Sequence, residues 1–108
     1  MELRDMLQIL AKQDGSDLYL STGAPPCAKF NGALRPLNEM PLEPGEVARI
    51  AADLMDSEQK QQFEKELEMN LAISLPQIGR FRVNIFKQRN EVSLVARNIK
   101  TEIPRFED

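Results

Sequence analysis

The sequence contains no histidine and only one cysteine, Cys27. Without histidine there is no imidazole to act as a general base, to complete a Ser-His-Asp triad or to ligate a metal. One thiolate can build neither a zinc site nor an internal disulfide. The phosphate loop GxxxxGK[ST] and the dinucleotide signature GxGxxG are also missing. The sequence therefore predicts no catalytic residue and no metal site of its own, and its function is expected to be binding, regulation or a contribution to another domain's site.

Long hydrophobic runs and targeting segments are absent as well. No run of about 18 apolar residues occurs, so no membrane-spanning helix is predicted. The start, MELRDMLQIL, carries two acids and no small-residue cleavage site, which is unlike a secretory signal. Together with the lone cysteine, this makes the cytoplasm the expected compartment. A length of 108 residues with 42% apolar content fits one domain with a modest core.

Apolar residues at helical spacing predict three helices. The first covers residues 2–13, buries one stripe of leucines and methionine, and stops at Gly15. The second begins near Pro44, a residue suited to a first helical turn. The third covers residues 57–67, is capped by Asp56 or Ser57, and is anchored by Phe63 and Leu67.

Alternating and turn-rich segments predict six strands. SDLYLS is one strand, and CAKFNGALRPL is a hairpin because Asn-Gly is the strongest short signal for a two-residue turn. Residues 69–75, 80–87 and 91–99 follow. The order α-β-β-β-α-α-β-β-β predicts an α+β domain with a mostly antiparallel sheet and helices packed on it. The tail TEIPRFED has no such pattern and is expected to begin a linker at residues 101–108.

Charge is distributed unevenly along the chain. Residues 39–68 hold nine acids and three bases, whereas residues 79–100 hold six bases and one acid. Such blocks are consistent with two solvated faces. The alternative interpretation is a basic patch that binds an anion.

Two arginines of the basic segment 79–100, Arg80 and Arg82, are predicted to share one face of a strand. Residues two apart in a strand point to the same side, so Arg80 and Arg82 lie opposite the core face. If Arg89 and Asn90 form a two-residue turn, Arg82 lies directly across the ladder from Arg97. Like charges in that position repel, but two guanidinium forks can grip one phosphate. A three-residue turn would instead put Arg97 on the other face.

Three segments carry a family resemblance: GSDLYLSTGAPPCAKFNGALRPL, GRFRVNIFKQR and LVARNI. They resemble the N-terminal domain of the PilT/PilU-type type IV pilus retraction ATPases, over essentially the whole chain. The ending TEIPRFED resembles the PilU-like branch. The chain has Tyr19 where the family often has histidine, and Lys29 near a basic position of the family.

The resemblance implies a PAS-like domain over residues 1–100, followed by a RecA-like motor domain with the phosphate loop. It implies that Arg82 and Arg97 contact the nucleotide phosphates, while Arg80 and Arg89 have secondary or interface roles. ATP and Mg²⁺ are implied for the full-length ATPase, and neither is expected for this chain alone. ATP hydrolysis in twitching motility would belong to the full-length protein.

The implied partners are the motor domain of the neighbouring subunit in a homo-hexamer, a second retraction ATPase and the inner-membrane pilus platform protein. The implied location is the cytoplasmic face of the inner membrane. Three other functions stay open: a stand-alone PAS-like sensor, the N-terminal domain of a related pilus-assembly or type II secretion ATPase, and a nucleic-acid module. A nucleic-acid partner is not expected, because the net charge is −3 and the arginine face offers one aromatic, Phe86.

Overall fold

The computed structural model describes residues 2–99, where three helices cover one face of a six-stranded sheet. In chain order the elements are α1 (Leu3–Lys12), β1 (Asp17–Leu20), β2 (Cys27–Phe30), β3 (Ala33–Pro36), α2 (Glu46–Leu54), α3 (Ser57–Glu66), β4 (Glu68–Leu75), β5 (Gly79–Gln88) and β6 (Glu91–Ile99). The strand order across the sheet is β3-β2-β1-β6-β5-β4, and neighbouring strands are antiparallel. The predicted element order and α+β class are confirmed. The linker expected at residues 101–108 lies outside the described residues.

Two tight turns fix the register of the sheet. Asn31 and Gly32 have φ values of 50° and 81°, and Arg89 and Asn90 have 54° and 66°. Left-handed geometry at both central residues is typical of the turn whose twist matches a two-residue β-hairpin. The Asn31–Gly32 turn was predicted from the sequence and is confirmed. Of the two turns left open after β5, the structure has the two-residue turn at Arg89 and Asn90.

The core lies between the helices and the covered face of the sheet. Alternate residues of β5 are buried, whereas their neighbours face away from the helices. The largest fully buried side chains are Met6, Leu7, Leu10, Leu18, Leu20, Pro26, Val47, Phe81, Val83, Ile85 and Leu94. No helix within residues 2–99 is long and apolar enough to span a membrane.

The residue that ends α1 is Asp14 and not the predicted Gly15. Asp14, with a φ of 59°, takes the left-handed position that stops the helix, and the Gly15 N–H donates to the Leu10 carbonyl at 2.8 Å. Gly15 instead lies where the side chains of Leu10 and Phe30 leave no room for a Cβ atom. A Cβ on it would lie 2.6 Å from Leu10 Cδ1 and 2.8 Å from Phe30 Cε1.

The start of α2 was also predicted too early. The helix begins at Glu46, because Gly45 has a φ of 88° and interrupts the helical backbone after Pro44. The Glu46 carboxylate then accepts a hydrogen bond from the Glu43 N–H at 3.0 Å.

The third helix has the predicted start but one wrong anchor. Asp56 accepts from the Gln59 N–H at 2.8 Å, which confirms the cap, and Phe63 is buried. Leu67 is 47% exposed and lies past the helix end, with a φ of 60°. Its N–H donates to the Phe63 carbonyl at 2.7 Å, so it closes the helix rather than holding it to the core.

Candidate phosphate-binding site

The sheet face without helices, called the open face below, carries the arginines of β5 and β6. Arg80 and Arg82 are exposed there, while Phe81 and Val83, which alternate with them, are buried on the helix side. Arg82 pairs with Arg97 across the β5–β6 ladder, as the two-residue turn predicts. The sequence-derived geometry of this pair is therefore confirmed.

The two arginines border a shallow depression of about 560 Å³ that opens to solvent. Its side chains on the open face come from four neighbouring strands: Asp17, Asn70, Ala72, Arg82, Asn84, Val95 and Arg97. The mixture of guanidinium, amide and small apolar groups is suited to a polar anion bound against a sheet surface.

Asp17 is the functional neighbour that sequence reasoning missed. It faces Arg97 across the β1–β6 ladder, and the Arg97 Nε–H donates to Asp17 Oδ1 at 3.4 Å. The sequence gives little indication of this contact, because the two residues are 80 positions apart. No local pattern predicts that β1 pairs with β6. The β1–β2 ladder places Lys29 opposite Asp17 on its other side.

A second polar cluster lies beside the arginines on β4 and β5. The Asn84 side-chain amide donates to Asn70 Oδ1 at 2.9 Å and to Glu68 Oε2 at 3.2 Å. These bonds hold both amide groups on the open face, at the rim of the depression. The alternation of β5 puts Asn84 on the same face as Arg82, whereas its two partners come from β4.

The two remaining arginines of the prediction lie at different distances from the pair. Arg80 is one step along the same face, where it pairs with Ser74 and Ile99. Arg89 lies in the hairpin turn, seven residues from Arg82, which is roughly 23 Å at about 3.3 Å per residue. Arg80 can therefore extend the basic surface, whereas Arg89 is remote from the depression.

The open face also carries a second aromatic ring and a thiol, besides the one aromatic, Phe86, that the sequence predicts there. Tyr19 shares the face of Asp17 on β1, so Phe86 is accompanied by a second aromatic ring. Cys27 pairs with Tyr19 and is half-buried, and its Sγ lies 3.3 Å from the Pro25 carbonyl oxygen. It lies within the β1–β2 ladder and is a free thiol.

The charged groups of the depression are two guanidinium groups, Arg82 and Arg97, and the carboxylate of Asp17. Within residues 2–99, ion pairs within 4 Å join Arg97 to Asp17 and Arg49 to Asp53, and none involves Arg82. Over the same residues, no group of three or more acidic, cysteine or histidine side chains is placed to hold a metal. The chemistry available here is thus hydrogen bonding and charge compensation from two guanidinium groups.

Comparison with known proteins gives consistent matches. No protein-family profile matches the chain. Over all 108 residues it is 40% identical to the type IV pilus ATPase PilU and 36% identical to the type IV pilus retraction ATPase PilT, both of Pseudomonas aeruginosa. The crystal structure of the pilus retraction motor PilT with bound ADP superposes with a TM-score of 0.87 at 28% identity, over 98% of this chain. The chain spans 28% of PilU, 31% of PilT and 31% of the crystallised PilT chain.

Within residues 2–99, the fold and the exposed arginines define the class: an α+β domain whose six-stranded antiparallel sheet has one face without helices. The matches over the whole chain then place it in the family of N-terminal domains of PilT/PilU-type pilus ATPases. The predicted resemblance is confirmed.

Proposed function

We propose that this chain is the N-terminal domain of a type IV pilus retraction motor, and that it supplies Arg82 and Arg97 to the phosphates of a nucleotide bound between domains. The observation that carries the proposal is the cross-strand arginine pair at the rim of an open depression. Two guanidinium groups across one ladder gain from an anion between them, since it replaces their mutual repulsion with charge-assisted hydrogen bonds.

Nucleotide chemistry is assigned to the motor domain of the same longer protein. That domain would hold ATP and Mg²⁺ through its phosphate loop and acids, while this domain compensates phosphate charge. Support comes from the PilT structure, which contains ADP. Residues 101–108 are proposed to lead from this domain to the motor domain.

The assembly is proposed to be a homo-hexamer in which this domain packs on the motor domain of the neighbouring subunit. The exposed basic face provides a surface for that contact. A PilU-like role is favoured by the 40% identity to PilU against 36% to PilT. Its proposed setting is the cytoplasmic face of the inner membrane, with a second retraction ATPase and the pilus platform protein as further partners.

The sensor and nucleic-acid alternatives have less support. The depression beside the arginines is open, whereas small-molecule pockets enclose most of their ligand. Tyr19 and Phe86 do not form a row of stacking rings, because they lie on β1 and β5 with β6 between them.

The proposal is tested in the full-length ATPase with Arg82→Ala and Arg97→Ala. An arginine that contacts transferring phosphate typically contributes about 10³-fold or more to turnover, so each change should lower kcat on that scale. Arg→Lys should restore activity only in part, because lysine lacks the planar fork. Arg89→Ala is the matched control, since it removes the same side chain from a remote turn.

Mixed hexamers identify which subunit supplies the arginine. Subunits that lack Arg82 but keep the phosphate loop are combined with subunits that have Arg82 but a disabled phosphate loop. Activity recovered in the mixture indicates a contribution across the subunit boundary. Wild-type turnover in both alanine variants would show that the pair is surface charge, and would refute the proposal.

A further inference from the structure

Asp17 is the only polar or charged residue within residues 2–99 that is buried, with 9% of its surface exposed. It lies on β1, between β2 and β6, so strands pack on both sides of it. Its position is therefore set by two hydrogen-bonded ladders rather than by a flexible loop. A fixed carboxylate of this kind can orient a mobile cation beside it.

Arg97 is the partner that the carboxylate holds. The side chain of Arg97 is 73% exposed and that of Asp17 only 12%, so the carboxylate is the enclosed member of the pair and the guanidinium the exposed one. The contact uses Arg97 Nε at 3.4 Å. Guanidinium has five N–H donors, so the terminal nitrogens stay available for an anion.

We propose that Asp17 is a positioning residue, which holds the Nε edge of Arg97 so that its terminal nitrogens face the space beside Arg82. This inference rests on the proposed phosphate-binding function of Arg97. Lys29, Asp17, Arg97 and Arg82 form one row across four strands. Asp17 pairs with Arg97 rather than Lys29, since no ion pair within 4 Å joins it to Lys29.

Positioning and simple electrostatics predict opposite effects. As a nearby negative charge, Asp17 weakens binding of an anion, so any variant that removes the charge should bind more tightly. As a positioning group, it strengthens binding, so a variant that also removes the hydrogen-bond acceptor should bind more weakly. Asp17→Asn and Asp17→Ala separate these effects, because both remove the charge but only asparagine keeps an acceptor.

The experiment titrates inorganic pyrophosphate into the 108-residue chain and follows the arginine Nε–H signals by NMR. Asp17→Asn should bind at least as tightly as wild type, and Asp17→Ala up to about fivefold more weakly than Asp17→Asn. The charge controls are Asp53→Asn and Asp53→Ala, which remove the carboxylate of the Arg49 pair on α2. These two should bind equally. Asp17→Leu, which fills the same space without an acceptor, replaces Asp17→Ala if that variant does not fold.

A double-mutant cycle adds a second test. In an Arg97→Lys background, which has no Nε–H, the difference between Asp17→Asn and Asp17→Ala should disappear, whereas in an Arg82→Lys background it should persist. Equal affinities of Asp17→Asn and Asp17→Ala in the wild-type background would overturn the inference.

The ligand-free spectra keep this test separate from the proposed function. If pyrophosphate shifts neither the Arg82 nor the Arg97 signal, phosphate binding by this chain fails. Slow exchange of the Arg97 Nε–H in wild type and Asp17→Asn, lost in Asp17→Ala, would still support positioning. An unchanged exchange rate in Asp17→Ala would overturn it.

Discussion

Arg82 and Arg97 face each other across the β5–β6 ladder, yet Arg97 alone of the two has a carboxylate within 4 Å in the described residues. That carboxylate, Asp17, comes from β1 on the far side of β6. The two arginines are therefore equivalent in charge and register but not in what holds them. The Arg97 guanidinium is hydrogen-bonded to Asp17, whereas the Arg82 guanidinium has no carboxylate within 4 Å in the described residues.

The stability of the domain should reflect this difference. Arg97→Ala relieves the Arg82–Arg97 repulsion but leaves a nearly buried acid without its ion partner, so its free energy of unfolding should be lower than that of Arg82→Ala by up to about 1 kcal/mol, a modest value because Arg97 itself is exposed. Arg82→Ala relieves a like-charge pair and should raise the free energy of unfolding by roughly 0.2–1 kcal/mol. Urea denaturation followed by circular dichroism measures both. Equal values in the two variants would contradict the asymmetry.

The chain by itself should bind ATP weakly and should not hydrolyse it. Two exposed arginines compete with water and salt for the phosphates, so binding should weaken further as ionic strength rises. Calorimetry across a salt series and a phosphate-release assay measure the two properties. Micromolar affinity at physiological salt would instead favour the sensor alternative, and turnover that survives repurification would contradict the absence of a catalytic centre.

Gly15→Ala should destabilise the domain although glycine is usually the less stable choice. The new Cβ would lie 2.6 Å from Leu10 Cδ1 and 2.8 Å from Phe30 Cε1, and overpacking of this kind costs about 1–3 kcal/mol. Asp14→Gly is the matched control at the neighbouring left-handed position, where glycine is well tolerated. Thermal unfolding compares them, and a Gly15→Ala protein as stable as wild type would show that the Phe30 ring moves aside freely.

Leu67→Gly should stabilise the domain by up to about 1 kcal/mol. Leucine at a φ of 60° carries a steric cost that glycine avoids, and the exposed side chain loses little by removal. Glu66→Gly, one position earlier and still helical, should destabilise by roughly 0.5–1 kcal/mol. If Leu67→Gly is the less stable variant, the apolar contacts of the leucine outweigh its backbone strain.

Local patterns predicted the sheet of β4, β5 and β6 well. Strict alternation in β5 and the short turn at Arg89 and Asn90 are sufficient to place Arg82 across from Arg97. The helix ends were harder, because Gly45, Asp14 and Leu67 act through backbone conformations that neighbouring residues help to impose. The contribution of Asp17 could not be predicted, since it depends on which strand closes the middle of the sheet.

The β1–β6 pairing joins the two ends of the described chain, with residue 17 against residue 97. Contacts between residues so distant in sequence form late, because the entropy of closing a long loop must first be overcome. During synthesis on the ribosome, Arg97 can meet Asp17 only after the other five strands have already emerged. The Arg97–Asp17 contact therefore requires the complete sheet. A partly folded domain would expose the two arginines of its β5–β6 hairpin without the Asp17 carboxylate beside them.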